Sequence, residues 1–263
     1  MLKSRPRSRI ASFYPNVVLR SPSASATEAA RLIEAFDESA HFTDGYAPEA
    51  GVIQGMDGNF YGMTALGGIS TACDGGTCGT IFKLTPTGKF LSLHSFQFTD
   101  GEEPTASLAQ SSTGALYGST NIGGNTGFEE CSTGCGTVFK ASFGGAFDVV
   151  HKFNGSDGGG LRNALIQATD GAFYGESPLG GDGGEGEIFK IVLPRTLVAD
   201  YSFNSAIGVG DTALVQGTGG KFYGTYEGDP SGVFSFDVGL GPFVTFVIPA
   251  GKVSHAAQIL GQG

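Results

Sequence analysis

Side chains able to do chemistry are few in this 263-residue chain. Its four cysteines form two close pairs, Cys73 with Cys78 and Cys131 with Cys135. Pairs at this spacing can close short disulfide loops, or supply the two halves of a four-thiolate zinc site. Neither pair has the tight C-x-x-C form, and zinc would need two loops to converge, so local disulfides in an oxidising compartment are the preferred reading. A loop this small gains about 2 kcal/mol at best by chain entropy, so a staple shapes it more than it stabilises the fold. Of the four histidines, His94 and His151 follow matching stretches and read as structural, while His41 and His255 have no nucleophile or carboxylate matched to them. No G-x-S-x-G elbow, phosphate loop or H-E-x-x-H is present. Hence no catalytic, cofactor-binding or metal-ligating residue is assigned.

The elements that must carry these residues repeat. Asp57-Gly58-Asn59-Phe60-Tyr61-Gly62 returns around Tyr117, Tyr174 and Tyr223, at spacings of 56, 57 and 49 residues. An apolar run ending in Gln54, Gln110, Gln167 or Gln216 precedes each Tyr-Gly. A Gly-rich loop follows, then Gly79-Thr80-Ile81-Phe82-Lys83 or its counterpart, then a run such as Leu93-His94-Ser95-Phe96. Four short strands, a to d, in a repeat of about 50 residues predict a β-propeller blade. Forty-five glycines with 21 Phe and 8 Tyr suit short aromatic strands joined by turns. Lys83, Lys140 and Lys190 recur on strand c and read as blade-edge cations. Gly62 is expected to admit the close approach of another backbone.

The predicted fold is therefore all-β, a propeller of four-stranded blades, with four complete blades and a partial one. The blades are placed at 48–103, 104–160, 161–210 and 211–254, after a basic, Ser-rich disordered tail at 1–31. Residues 32–36 resemble an orphan strand d, with a short helix over 27–36 as the competing reading, and 259–262 resemble an orphan strand a. These remnants predict a truncated or incomplete ring.

The pattern L-x-Q-G-x-D-G-x-F-Y-G, then G-T-V-F-K and L-H-S-F, resembles the GloVer tandem repeat of bacterial choice-of-anchor proteins. The resemblance spans about residues 32–262 and is weakest in the last blade, where Ser235 replaces the expected lysine. It implies a propeller-like repeat protein, export and attachment to the cell surface through a C-terminal signal that this chain does not reach. It implies no reaction.

A net charge of −10 argues against nucleic acid as partner, and no run is long enough to insert in a membrane. In an a-b-c-d blade the b–c and d–a connections share one face. These carry Asp44, Asp74, Asp100, Glu102, Glu103, Glu129, Glu130, Asp157, Asp182, Glu185, Asp211, Glu227 and Asp229, against only Arg162 and Lys252 as bases. The candidate acidic binding face is drawn from Asp74, Asp100, Glu102, Glu103, Glu129, Glu130, Asp182, Glu185, Glu227 and Asp229. It would attract a cation, a basic protein or a cell-surface ligand. No cofactor is expected; Ca²⁺ through oxygen ligands is the one ion such a face could take. The turns at 43–45 and 99–101 read as Asx turns. The expected role is a non-enzymatic, exported binding or structural module. A propeller-type lyase or hydrolase with its site at the central channel mouth is the alternative.

Overall fold

The computed structural model describes residues 43–73, 77–129, 131–181, 183–204, 208–209, 213–227, 230–239, 241 and 243–247. The tail, both remnant strands, Asp74, Glu130, Asp182, Asp211 and Asp229 lie outside the described residues. Among those described, every regular element is a strand, and the strands form four antiparallel sheets, each a propeller blade.

The first blade holds β1 (Ile53–Gln54), β2 (Phe60–Thr64), β3 (Thr80–Leu84) and β4 (Phe90–Ser95). The second holds β5 (Ala109–Gln110), β6 (Leu116–Ser119), β7 (Thr137–Ala141) and β8 (Phe147–Lys152). The third holds β9 (Ile166–Gln167), β10 (Phe173–Ser177), β11 (Glu187–Val192) and β12 (Thr196–Ser202). In the fourth, β13 (Gly208–Val209) and β14 (Val215–Gln216) share one edge of β15 (Phe222–Glu227), followed by β16 (Gly232–Phe236) and β17 (Val244–Val247).

The register is the same in every blade: Ile53, Ala109, Ile166 and Val215 each face the repeat tyrosine. One step on, Gly62, Gly118, Gly175 and Gly224 face the strand-c phenylalanine. A Cβ on Gly62 would sit 2.5 Å from Cζ of Phe82, and on Gly118 2.5 Å from Cζ of Phe139. What comes close to the glycine is thus an aromatic ring of its own blade, not the backbone expected from sequence. The glycine exists so that the ring can lie across strand b.

Successive residues of strand c are buried on both faces, as in Val138–Phe139 and Ile188–Phe189, all fully enclosed. A strand that alternates faces can do this only when its sheet is covered on both sides. The cover is the neighbouring blade. Phe96, Phe153 and Phe203, just after strand d, meet edge-on or tilted the strand-c rings Phe139, Phe189 and Phe234 of the next blade, at 5.2, 5.3 and 5.7 Å. Such pairs add about 0.5–1.5 kcal/mol each to the area they bury.

Strand a of the second blade lies beside that of the third, β5 touching β9. Gln54, Gln110, Gln167 and Gln216 each donate to the carbonyl of the turn glycine four residues on. Gln167 also accepts from the Ser112 amide of the blade before at 2.7 Å, and Gln216 from that of Thr169 at 3.3 Å. The repeated glutamines therefore close turns, and Gln167 and Gln216 also stitch blades together.

Candidate binding site

Where the chain passes from strand d into strand a, it bridges the end of strand b, at Tyr46 with Leu66, Glu102 with Ile122 and Gly159 with Leu179. The next residue is left-handed in each case: Ala47 at φ 57°, Glu103 at 53° and Gly160 at 71°. Only glycine takes that conformation freely, so Ala47 and Glu103 hold it at a cost of order 1–3 kcal/mol that the bridges must offset. The bend turns the following residues toward a common opening. Two positions on stand Glu49, Thr105 and Arg162, one from each of three successive blades.

These three line a cavity of about 510 Å³ together with Ala65, Leu66, Glu103, Asn121 and Asn163. Asn121 is only 7 % exposed and is the pivot of the polar wall. Its amide nitrogen donates to Glu103 Oε2 at 3.0 Å, and its amide oxygen accepts from Arg162 Nε at 3.3 Å. Asn163 donates to Glu176 Oε2 at 3.3 Å. The Thr105 hydroxyl oxygen is buried without a hydrogen-bond partner among the described residues. Glu49, Glu103 and Arg162 form no ion pair among the described residues, so charges of both signs face one space without neutralising one another. The neutral carboxamide of Asn121 links Glu103 to Arg162.

The acids singled out from sequence have separate fates. Asp100 accepts from His94 Nε2 at 3.2 Å through one oxygen and from the Gln97 amide at 2.7 Å through the other. Asp157 does the same for His151 and the Asn154 amide, at 3.0 and 2.8 Å. The aspartate thus closes its turn from the C-terminal side, reaching back three residues, where an Asx turn would reach forward. Glu102 is buried, 4 % exposed, whereas Glu129 and Glu185 stand exposed on loops. Among the described residues of the ten, Glu103 lines the cavity, and the backbone of Glu227 ends β15. The reading by charge missed Glu49, Thr105, Asn121 and Asn163, and counted Arg162 only as a stray base. The signal in the chain was that one equivalent position carries Glu49, Thr105 and Arg162, three different chemistries; Pro and Ala flank it in the first two repeats, Leu161 and Asn163 in the third.

Cys73–Cys78 and Cys131–Cys135 are disulfides, with Cα–Cα distances of 5.4 and 5.1 Å. Each closes within its own b–c loop, so the four sulfurs do not share a zinc ion. The second staple backs the cavity: Gly160, two residues before Arg162, donates its amide to the Cys135 carbonyl at 3.0 Å. Among the described residues no group of three or more His, Cys, Asp or Glu could hold a metal ion.

On the opposite face, two strand-c lysines are tied to the a–b turns. Lys83 pairs with Asp57 at 3.0 Å and Lys190 with Asp170 at 2.8 Å, while Tyr61 and Tyr174 donate to the same carboxylates at 2.7 and 2.9 Å. Burial pushes Asp57 up, but hydrogen bonds from Tyr61, Asn59 and Lys83 outweigh it and hold the carboxyl well below its ordinary value. Burial, then the Asp57 hydrogen bond, raises Tyr61; hydrogen bonds to Tyr61 and Asp57 raise Lys83. Both shifts make proton release harder, which suits a scaffold. Lys140 has no such partner, because Thr113 stands where the aspartate would be, and its side chain is exposed.

A family model described as the Gloeobacter/Verrucomicrobia repeat matches residues 79–247, well over half the chain. No curated protein matches it. Among solved structures, the gluconolactonase XC5397 from Xanthomonas campestris is similar at 11 % identity and TM-score 0.46, over 80 % of this chain. The chain spans 66 % of that protein's length, just under two thirds. A protein of unknown function from Dyadobacter fermentans is similar at 12 % identity and TM-score 0.49, over 77 % of this chain and 70 % of the other. A puromycin-hydrolyzing peptidase of Mycobacterium tuberculosis is similar at 14 % identity and TM-score 0.49, over 75 % and 30 % respectively. Likenesses this distant say nothing of ligand or reaction.

Proposed function

This chain belongs to the Gloeobacter/Verrucomicrobia repeat family, and from that premise we propose that it is a non-enzymatic binding module, working outside the cytoplasm or at the cell surface. Its ligand is small and polar and enters the cavity between the first three blades. One observation carries this. In a repeat protein the recurring residues build the scaffold, and the cavity is lined at one equivalent position by Glu49, Thr105 and Arg162, three different chemistries. Its size falls within the range of about 300–1,000 Å³ usual for ligand sites. The two disulfides support an oxidising compartment, where such bonds persist. Glu129 and Glu185 stand exposed on b–c loops, and the negative field of such acids would favour ligands or partner surfaces carrying positive charge.

The reading is tested by thermal stability of the whole chain against a library of small polar metabolites, beside a Leu66→Trp variant that fills the cavity. Compounds should raise the melting temperature of the wild type and not of the variant; compounds that stabilise both equally would overturn the assignment. Ca²⁺ belongs in the same screen, and no shift at millimolar concentration would remove it from the reading.

A second reading rests on the two carboxylates, Glu49 and Glu103, in one cavity. Paired carboxyl groups can serve as general acid and base, as a hydrolase or lyase requires. Conversion of any bound compound, followed by mass spectrometry, would replace the binding module with an enzyme.

A further inference from the structure

We infer, on the strength of that binding reading, that the cavity recognises the head group of a free α-amino acid. The reason lies in what Asn121 does. Its carboxamide offers a donor to Glu103 at 3.0 Å and an acceptor to Arg162 at 3.3 Å. It stands between a carboxylate and a guanidinium and bonds to both, and the two form no ion pair among the described residues. An α-amino acid has the same polarity over a similar span, an ammonium beside a carboxylate, with full charges in place of the amide dipole. Lying alongside Asn121, it sets its ammonium toward Glu103 and its carboxylate toward Arg162. Charge-assisted hydrogen bonds are roughly twice as strong as neutral ones, and guanidinium meets carboxylate through two parallel donors.

Two further groups suit this occupant. Thr105 lines the cavity, and its hydroxyl oxygen is buried with no partner among the described residues; turned toward the cavity, it would donate a hydrogen bond to a ligand carboxylate. Glu49 makes no hydrogen bond among the described residues and stands exposed at the rim, where it would meet a second positive charge. The cavity is large enough for the side chain of any common amino acid beside its head group. The occupants Arg162 disfavours are amines without an acid; those Glu103 disfavours are acids without an amine.

Isothermal titration of the full, oxidised chain with the common L-α-amino acids tests this, with the N-acetylated and C-amidated derivatives of whichever binds best and with glucuronate as a hydroxylated acid. At least one amino acid should bind, and each blocked derivative should bind at least tenfold more weakly. Glu103→Gln should then cost most of the ammonium contribution. Arg162→Gln should erase the difference between the amino acid and its amide, a readout that mere unfolding would not produce. Because the blocked ligands are measured on the wild type, a variant that fails to fold leaves the test intact. Equal binding of free and blocked forms, or no binding by any amino acid, overturns the inference. A library compound that is lost in Leu66→Trp but is not a zwitterion would sink only this inference and leave the binding module standing.

Discussion

Tyr61 is fully buried, yet its hydroxyl reaches back across the a–b turn to Asp57 at 2.7 Å. The same tyrosine that fills the space between blades thus also fixes the turn that starts strand b. Tyr174 and Asp170 repeat the relationship at 2.9 Å, and Tyr174 in addition accepts from the Gly239 amide of the next blade at 2.9 Å.

Asp57 titrates below its ordinary value of 3.8, so its hydrogen bonds stabilise the fold above that pH. The contribution is lost as pH falls through the depressed folded value, because the unfolded carboxyl protonates first. Asp57→Asn should therefore lower stability at neutral pH and flatten the acid limb below about pH 4. Urea melts of both proteins between neutral pH and strong acid measure this; parallel acid limbs would contradict it. Tyr61→Phe, which leaves the ring and removes the bond, should cost about 1–2 kcal/mol at neutral pH.

Glycine at position 62 is demanded by a ring and not by its backbone angle. Gly62→Ala would press a methyl group into Phe82 Cζ at 2.5 Å, and should cost about 1–3 kcal/mol as overpacking. Gly51→Ala, with nothing within 4 Å, should stay within about 0.5 kcal/mol of the wild type. Denaturant midpoints for the two variants decide this; equal losses would refute the steric account.

Phe153 bridges the second and third blades through its edge-on contact with Phe189. Phe153→Ala should destabilise by about 3–5 kcal/mol, since the ring is wholly buried and the surrounding blades cannot close on the gap. Calorimetry would register it as a lower melting temperature, and a loss under 1 kcal/mol would show the interface to be slack.

The Cys131–Cys135 staple is expected to matter more to the cavity than to the fold. Its loop is short, so replacing both cysteines with serine should cost about 2 kcal/mol or less. Yet the Cys135 carbonyl holds the Gly160 amide, and Arg162 follows two residues later. Hydrogen exchange at Gly160 should speed up in the double variant by more than the change in global stability accounts for. Exchange that tracks global stability alone would separate the staple from the site.

Much of the scaffold was legible in the chain. The recurring Gln, Phe-Tyr-Gly and Gly-x-x-Phe-Lys runs placed strands a to d of four blades, because each is a local pattern of faces and turns repeated at a near-constant period; β13, which joins the fourth sheet from residues counted with the third blade, was not foreseen. Cysteine pairing was legible too, since partners four and five residues apart can meet without help from the rest of the fold. Glu129 and Glu185 were read correctly as loop residues, whereas Glu227 ends β15. Asp100 and Glu102 counted equally as surface charge, though one is spent on His94 and the other is buried, and only the packing of strand d against the following connection separates them.

Composition, period and strand order, then, belong to the sequence alone, because short-range alternation and turn chemistry suffice to produce them. The cavity belongs to the tertiary structure. Glu49, Thr105 and Arg162 lie in three different repeats and share nothing locally, and they become neighbours only because successive sheets stack. That stacking also sets Asn121 between a carboxylate and a guanidinium. No reading along the chain could place one amide between those two charges.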